Sequence, residues 1–133
     1  MRNYVEYTLF DAKAATGVSK VIPTDDFQHI IVSVATDGGG DAALTLKFQG
    51  AVTGDSPPDF SAAASVSNMW DYIAVKDYED DSTVDGDTGF SVAGADDYRI
   101  FMVNVDAIKY FSARVTARSE GEVTVKVRCY SNQ

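Results

Sequence analysis

The chain has 133 residues, 45% of them hydrophobic, and its 11 basic and 20 acidic residues give a formal net charge of −9. This length predicts one domain, spanning residues 1–133, with a single hydrophobic core. The acidic balance argues against nucleic acid as a partner, because phosphate binding needs a basic surface. No apolar run approaches the ~20 residues of a membrane span, and the N-terminus lacks the apolar stretch of a secretory signal. We therefore expect no membrane partner.

The N-terminal residues alternate with a two-residue period, which predicts a strand or an extended arm. Apolar side chains occur on both faces of this segment, which is unusual for an edge strand that faces water. Residues 1–20 thus have two interpretations: an arm that docks on a neighbouring subunit, or an edge strand covered by a loop of its own domain. The docking interpretation assigns these side chains to an interface: Tyr4, Val5, Tyr7, Leu9 and Phe10.

Residues 28–35 predict a strand that is apolar on both faces at its start, as a central strand would be. Gly38, Gly39 and Gly40 follow, and glycine permits positive φ, so they predict a hairpin turn into a strand over 44–49. A phosphate-binding glycine loop would need a following helix and usually a lysine. The turn is therefore the favoured interpretation.

Residues 50–68 form a loop of low hydrophobicity that is too long for a plain hairpin connection. It is expected to be a contact loop in a binding protein, or a lid in an enzyme. Residues 69–76 then predict a strand with Trp70 and Tyr72 on one face. Such an aromatic stripe is typical either of a core or of a surface that stacks on sugar rings. Trp70 and Tyr72 are accordingly candidate interface residues.

Residues 77–87 are densely acidic, which raises the possibility of a calcium loop, because hard cations prefer several oxygen ligands. A frame starting at Asp81 places Asp85 and Gly86 at the fifth and sixth positions of an EF-hand loop. Thr83 and Val92 then occupy positions three and twelve, where carboxylates are needed. An exposed, self-repelling loop is favoured, and no metal is expected.

Three consecutive strands are predicted over 98–105, 110–118 and 122–130, the last two joined by a glycine-containing hairpin at 119–121. They are expected to form a half-buried antiparallel sheet that a second layer covers. With about eight candidate strands, the chain is predicted to be all-β. The expected fold is a single antiparallel β-sandwich, jelly-roll or Ig-like, with an N-terminal strand or arm. Alternation in the last strand predicts that one face is buried: Val123, Val125, Val127 and Cys129.

Catalytic patterns are missing from the sequence. His29 is the only histidine, the nucleophile-elbow pattern G-x-S-x-G does not occur, and a lone histidine and a lone cysteine do not make a usual zinc site. Cys129 is expected to act as a small buried hydrophobic residue. We predict no enzymatic activity and no cofactor.

Three stretches carry a resemblance: WDYIAVKDYEDDSTVDGDTGF over 70–90, NVDAIKYFSARVTA over 104–117 and GEVTVKV over 121–127. This half of the chain resembles virion structural proteins of tailed bacteriophages, and most of all capsid decoration or cement proteins. The resemblance implies β-sandwich subunits that cluster on the shell and brace neighbouring major capsid proteins. The N-terminal arm and the 50–68 loop would then be contact segments.

The first hypothesis is therefore a non-enzymatic virion protein that decorates or cements a phage capsid. Its partners would be the major capsid protein and further copies of itself, as a homotrimer or another homo-oligomer. It would be made in the host cytoplasm and reside on the capsid exterior. Two alternatives remain open: a glycan-binding β-sandwich module that uses Trp70 and Tyr72, and a tail, neck or fibre-base component of the virion.

Overall fold

A computed structural model describes residues 2–104 and 108–132, with side chains described for residues 4–104 and 108–131. The described residues form strands connected by turns and loops. The strands are β1 (Arg2–Lys13), β2 (Gly17–Val18), β3 (Ile22–Pro23), β4 (His29–Asp37), β5 (Ala43–Ala51), β6 (Asp71–Tyr72), β7 (Val75–Asp77), β8 (Thr83–Val84), β9 (Phe90–Ala93), β10 (Asp97–Asn104), β11 (Tyr110–Glu120) and β12 (Glu122–Asn132).

Two antiparallel sheets pack face to face. One, which we call sheet A, has the strand order β1-β12-β4-β10-β7-β8. The other, sheet B, has the order β2-β11-β5-β6, with β3 also paired to β11 and β9 also paired to β5. The predicted all-β sandwich is confirmed. The described strands number twelve rather than about eight, because several are short pairings of two to four residues that sequence periodicity does not detect.

The core lies between the sheets, on the faces that alternation predicts. Ile30, Val32 and Val34 of β4 are fully buried. This strand pairs with β12 on one side and β10 on the other, so its predicted central position is confirmed. The predicted inward face of β12 is likewise buried. The last residue of the predicted 98–105 strand lies outside the described part of the chain.

Phenylalanine rings bridge the two sheets at the centre of the core. The Phe48 ring of sheet B stacks on Phe111 at 5.8 Å and meets the edge of Phe101 of sheet A at 6.0 Å. The Phe90 ring also packs against Phe101, with 5.3 Å between the ring centres. Burying a side chain of this size contributes about 1.5–3 kcal/mol from removal of apolar surface from water alone.

The three C-terminal strands do not form one sheet, so that prediction is wrong. β10 and β12 both belong to sheet A but are separated by β4, and β11 pairs with β5 in sheet B. The turn after β11 carries the chain from one sheet to the other. Gly121 makes this crossing with φ at 85°, and a Cβ there would lie 2.9 Å from the Cβ of Ala42. The close approach and the positive φ both require glycine.

The Gly38–Gly40 turn is also a crossing between sheets, from β4 to β5, rather than a hairpin between paired neighbours. Its backbone wraps the carboxylate of Asp96. The amide of Gly38 donates to Asp96 at 2.8 Å, that of Gly40 at 2.7 Å and that of Ala42 at 3.3 Å. These hydrogen bonds, chiefly the one from Gly38, hold the pKa of Asp96 below its usual value of 3.8. The turn thus binds an anion, but the anion is the protein's own carboxylate.

Replacing Asp96 with alanine is expected to lower the urea midpoint at pH 7, because three backbone donors lose their acceptor. A group whose pKa is lowered by folding stabilises the protein above its unfolded-state pKa. That stabilisation is lost as the pH falls through the lower folded-state pKa. The difference between wild type and Asp96→Ala should therefore shrink below pH 3.8. The control is Asp41→Ala in the same turn, and an equal effect there would contradict this account.

Cys129 is fully buried on the inward face of β12, as predicted. Burial raises the pKa of its thiol to about 11 from an ordinary 9.0. The thiolate fraction near neutral pH is then lower by about a hundredfold. A chromogenic disulfide reagent at pH 8 should label the urea-unfolded chain quickly and the folded protein at least that much more slowly. Comparable rates would show that the C-terminal strand opens readily.

Candidate interaction surfaces

The N-terminal segment is an edge strand of this molecule's own sheet. β1 pairs antiparallel with β12 from Arg2 opposite Asn132 to Lys13 opposite Val123, with register shifts between Thr8 and Phe10 and between Phe10 and Lys13. Such irregularities disrupt the ladder and bend a strand, which protects an edge from unwanted pairing. Its outer edge remains without a neighbouring strand in sheet A.

The predicted interface residues of β1 divide into two groups. Leu9 and Phe10 are buried in the main core, and Tyr7 is half-buried and packs against it. Tyr4 and Val5 are 54% and 39% exposed. Of these five predicted residues, Tyr4 and Val5 therefore have the most surface to offer a partner in this conformation.

Trp70 belongs to a second, smaller hydrophobic cluster, which confirms its interpretation as a core residue. Its side chain is 4% exposed and packs against Phe60 at 5.7 Å and Tyr72 at 5.0 Å. The Lys47 ammonium lies 4.8 Å from the centre of the Tyr72 ring. A sugar would need an exposed aromatic face on which to stack, and the indole of Trp70 does not provide one.

The predicted 69–76 strand is in fact two. β6 pairs with β5 in sheet B, and β7 pairs with β10 and β8 in sheet A, so the chain changes sheets at Ile73 and Ala74. The Ile73 amide still donates to the Phe48 carbonyl at 2.9 Å before the crossing. The prediction of one continuous strand over 69–76 is therefore wrong.

The 50–68 loop is attached to sheet B by a buried polar pair. Gln49, which is fully buried, donates through Nε2 to the Phe60 carbonyl at 2.8 Å and accepts from Ser112 Oγ at 2.8 Å. Beside this anchor the loop exposes apolar surface, with Val52, Val66 and Met69 at 62%, 95% and 60%. The loop is thus fixed at Phe60 while its flanking apolar side chains face solvent.

The acidic segment is a hairpin whose carboxylates cap its own turns. Asp80 accepts hydrogen bonds from the Ser82 hydroxyl and amide, and Asp85 accepts from the amides of Asp87 and Thr88. These bonds lower the pKa of Asp80 and Asp85 from 3.8. No group of three or more His, Cys, Asp or Glu side chains among the described residues could hold a metal ion. The segment is ordered by turn hydrogen bonds rather than being simply self-repelling.

Arg99 gathers the carboxylates at the base of this hairpin. Its guanidinium lies 2.5 Å from Asp77, 3.0 Å from Asp97 and 3.2 Å from Glu79. The Asp77 side chain is only 5% exposed and also accepts the Glu79 amide at 2.9 Å. Arg99 therefore joins β10 to the β7–β8 hairpin through charge-assisted hydrogen bonds.

The outer face of sheet A carries side chains that point away from the core. A groove of about 420 Å³ crosses β1, β12, β4 and β10, and an adjoining depression of about 430 Å³ shares two of its lining residues, Ile31 and Arg128. We use the name "outer groove" for this continuous surface. Its lining side chains include Tyr4, Glu6, Thr8, Ile31, Ser33, Tyr78, Tyr98, Ile100, Lys126, Arg128 and Tyr130.

Cross-strand register explains how these side chains meet. Arg128 lies opposite Ile31, and Lys126 lies opposite Ser33, which in turn lies opposite Ile100. Because neighbouring strands are about 4.8 Å apart, such a row across four strands spans about 14 Å. The floor of the groove is aliphatic, and Tyr98 stands at its rim, 59% exposed.

Cations outnumber anions in the outer groove although the whole protein is acidic. Arg128 lies 3.7 Å from Glu6 and 4.1 Å from the centre of the Tyr4 ring. Lys126 is exposed, and no carboxylate of the described residues lies within salt-bridge distance of it. The basic residues of the last third of the sequence are thus divided, with Arg99 among carboxylates and Lys126 and Arg128 in the groove.

Sequence reasoning missed the outer groove as a site. The sequence feature that could have indicated this groove is the presence of apolar residues on both faces of β4 and β10, notably Ile31, Ile100 and Met102. That pattern is typical of strands covered on both sides. Here the second face is open to solvent, and Ile100 is 37% exposed.

The structure does not place His29 in the kind of acid–base pair that is typical of a catalytic site. It begins β4, and its ring lies 5.1 Å from that of Tyr130 on the neighbouring strand.

No helix in the described ranges is long and apolar enough to span a membrane.

The fold and these surfaces define a two-sheet antiparallel β-sandwich with an open, partly apolar sheet face. No protein-family profile matches the sequence, and no curated protein matches it. Among solved structures, the chain is similar to the SPBc2 prophage-derived protein YomS. The TM-score is 0.70, with 10% identity over 98% of this chain and 96% of that one.

The PBSX exported protein XepA is similar to this chain with a TM-score of 0.68 and 17% identity. That match covers 98% of this chain but 38% of XepA, so this chain spans less than two-fifths of that protein. Likeness at these identities establishes a shared fold. Of the two proteins, YomS is prophage-derived.

Proposed function

We propose that this protein is a non-enzymatic structural component of a bacteriophage particle that decorates or cements the capsid. It would bind neighbouring major capsid proteins on the capsid exterior and would do so as a homo-oligomer, such as a trimer. The observation that carries the proposal is the fold, which the prophage-derived YomS shares over nearly the whole of both chains.

Physical considerations support a cement role. A ligand that binds only the assembled lattice stabilises that lattice by mass action. Such a ligand needs contact area and several attachment points rather than a deep pocket. The outer groove, the exposed end of β1 with Tyr4 and Val5, and the apolar side chains of Val52, Val66 and Met69 offer such area.

A position in the tail, neck or fibre base is the second candidate, and the same open sheet face favours it equally. Only the location of the protein in the particle separates the two. The glycan-binding alternative loses its main support, because Trp70 is enclosed by its own cluster.

The test mixes purified protein with phage heads assembled without it and measures co-sedimentation. We expect the protein to pellet with heads and to raise the temperature at which they release DNA. The control is a mixture with tails from the same phage. Binding to tails alone would favour the tail, neck or fibre-base position. Binding to neither particle would contradict a virion role.

A further inference from the structure

We propose that the outer groove is a docking site for an extended acidic segment of a partner polypeptide, in which carboxylates and apolar side chains take turns at every second position and so share the face toward the groove. This inference rests on the proposed structural role, because it takes the partner to be another protein of the particle.

The excess of cations in the groove favours a partner segment with negative charge. On a molecule with a net charge of −9, Lys126 and Arg128 stand together on β12, and among the described residues Glu6 is the single carboxylate of the groove lining. Glu6 is already engaged with Arg128 at 3.7 Å, whereas Lys126 has no carboxylate partner among the described residues. An incoming carboxylate therefore finds an uncompensated cation at the centre of the sheet face.

The aliphatic floor of the groove favours apolar side chains in the partner segment. Beside the cations lie Ile31 and Ile100, whose aliphatic side chains accept an apolar side chain rather than a polar ligand. The groove crosses four strands, about 14 Å, which an extended segment of four or five residues would span. Successive side chains of an extended segment point to opposite faces, so acidic and apolar residues two positions apart would both face the groove and meet the cations and the aliphatic floor in turn.

Two of the aromatic rings that a sugar would use are already occupied. The Arg128 guanidinium covers Tyr4 at 4.1 Å, and His29 packs on Tyr130 at 5.1 Å. Stacking of sugar rings requires free aromatic faces. Tyr78 and Tyr98 of the same lining are 50% and 59% exposed, so an anionic glycan is included among the outcomes of the test.

The test is a titration of ¹⁵N-labelled protein followed by amide chemical shifts. The probe is a synthetic peptide in which aspartate and leucine take turns at every second position, with serine between them, and the comparison probes carry lysine or serine in place of aspartate. Shifts caused by the aspartate peptide are expected to cluster at residues 6–8, 31–33, 98–100 and 126–128. The lysine peptide should cause none.

Two variants locate the determinants. Lys126→Glu should weaken aspartate-peptide binding by about tenfold, because attraction becomes repulsion. Ile100→Ser should also weaken binding, because a polar side chain replaces an aliphatic one in the floor of the groove. Lys47→Glu, an equal charge change on sheet B, is the matched control and should bind as wild type does. The amide spectrum of each variant reports whether its fold is intact.

Several results would overturn the inference. They are shifts that appear elsewhere, equal binding of the lysine peptide, unchanged binding by Lys126→Glu, or groove shifts caused by dextran sulfate but not by the peptide. Co-sedimentation with heads separates this proposal from the previous one. If wild type and Lys126→Glu bind heads equally, the groove is not the docking site and the virion role stands. If wild type fails to bind particles, the virion role fails while the titration still tests the groove.

Discussion

Replacing Arg99 with methionine is expected to lower the free energy of unfolding by about 3 kcal/mol, near the lower end for breaking a buried ion pair. The change leaves the Asp77 carboxylate, 5% exposed, without its cationic partner. The remaining hydrogen bond from the Glu79 amide does not offset the cost of keeping this charge away from water. The lower end applies because Arg99 itself is 23% exposed. Urea denaturation at pH 7 measures the loss.

Two further variants show whether the loss of stability comes from the unpaired Asp77 carboxylate. Arg99→Met combined with Asp77→Leu removes both charges and should recover most of the stability, because the unpaired buried charge is gone. Lys76→Met breaks a surface pair with Asp81 whose side chains are 43% and 81% exposed, and it should cost far less stability than Arg99→Met does. If the double variant is no more stable than Arg99→Met, Asp77 is not the source of the penalty.

Replacing Phe101 with alanine is expected to cost about 3–5 kcal/mol, which is typical of truncating a large buried aromatic residue. Phe101 is fully buried and contacts Phe48 and Phe90, which approach from sheet B. The truncation removes apolar burial and leaves a cavity between the two sheets, which their backbones close only in part. Thermal and urea unfolding should both report the loss.

Met102 provides the matched control, since it is adjacent in β10 but points away from the core. Met102→Ala is expected to cost less than about 1.5 kcal/mol, because this half-buried side chain leaves no internal cavity. Equal losses for the two variants would mean that the two faces of β10 are assigned the wrong way round.

The sequence was sufficient to predict the long strands and their inward faces, because burial of one face imposes a two-residue period. That reasoning predicted the buried residues of β4 and β12 and the position of Cys129. It did not predict the strand partners. The short turns at Gly38–Gly40 and Gly121 are as compatible with a hairpin as with a crossing between sheets. The choice depends on contacts far apart in the sequence, such as Gly121 against Ala42.

The interaction surface was predictable only in part. Tyr4 and Val5 are exposed as expected, whereas Leu9, Phe10 and Trp70 are buried in the protein's own cores. Aromatic and apolar residues give the same sequence pattern in a core and at a binding face. The outer groove brings residues from four separate strands together through their register. No local pattern encodes that arrangement.

The central claim is that this sandwich binds a phage particle through the outer face of sheet A. A cryo-EM comparison of heads assembled with and without the protein tests it most directly. The account predicts added density on the capsid exterior that fits the sandwich, with Lys126 and Ile100 against a segment of a neighbouring protein. Density that presents this face to solvent, or heads that gain no density, would contradict it.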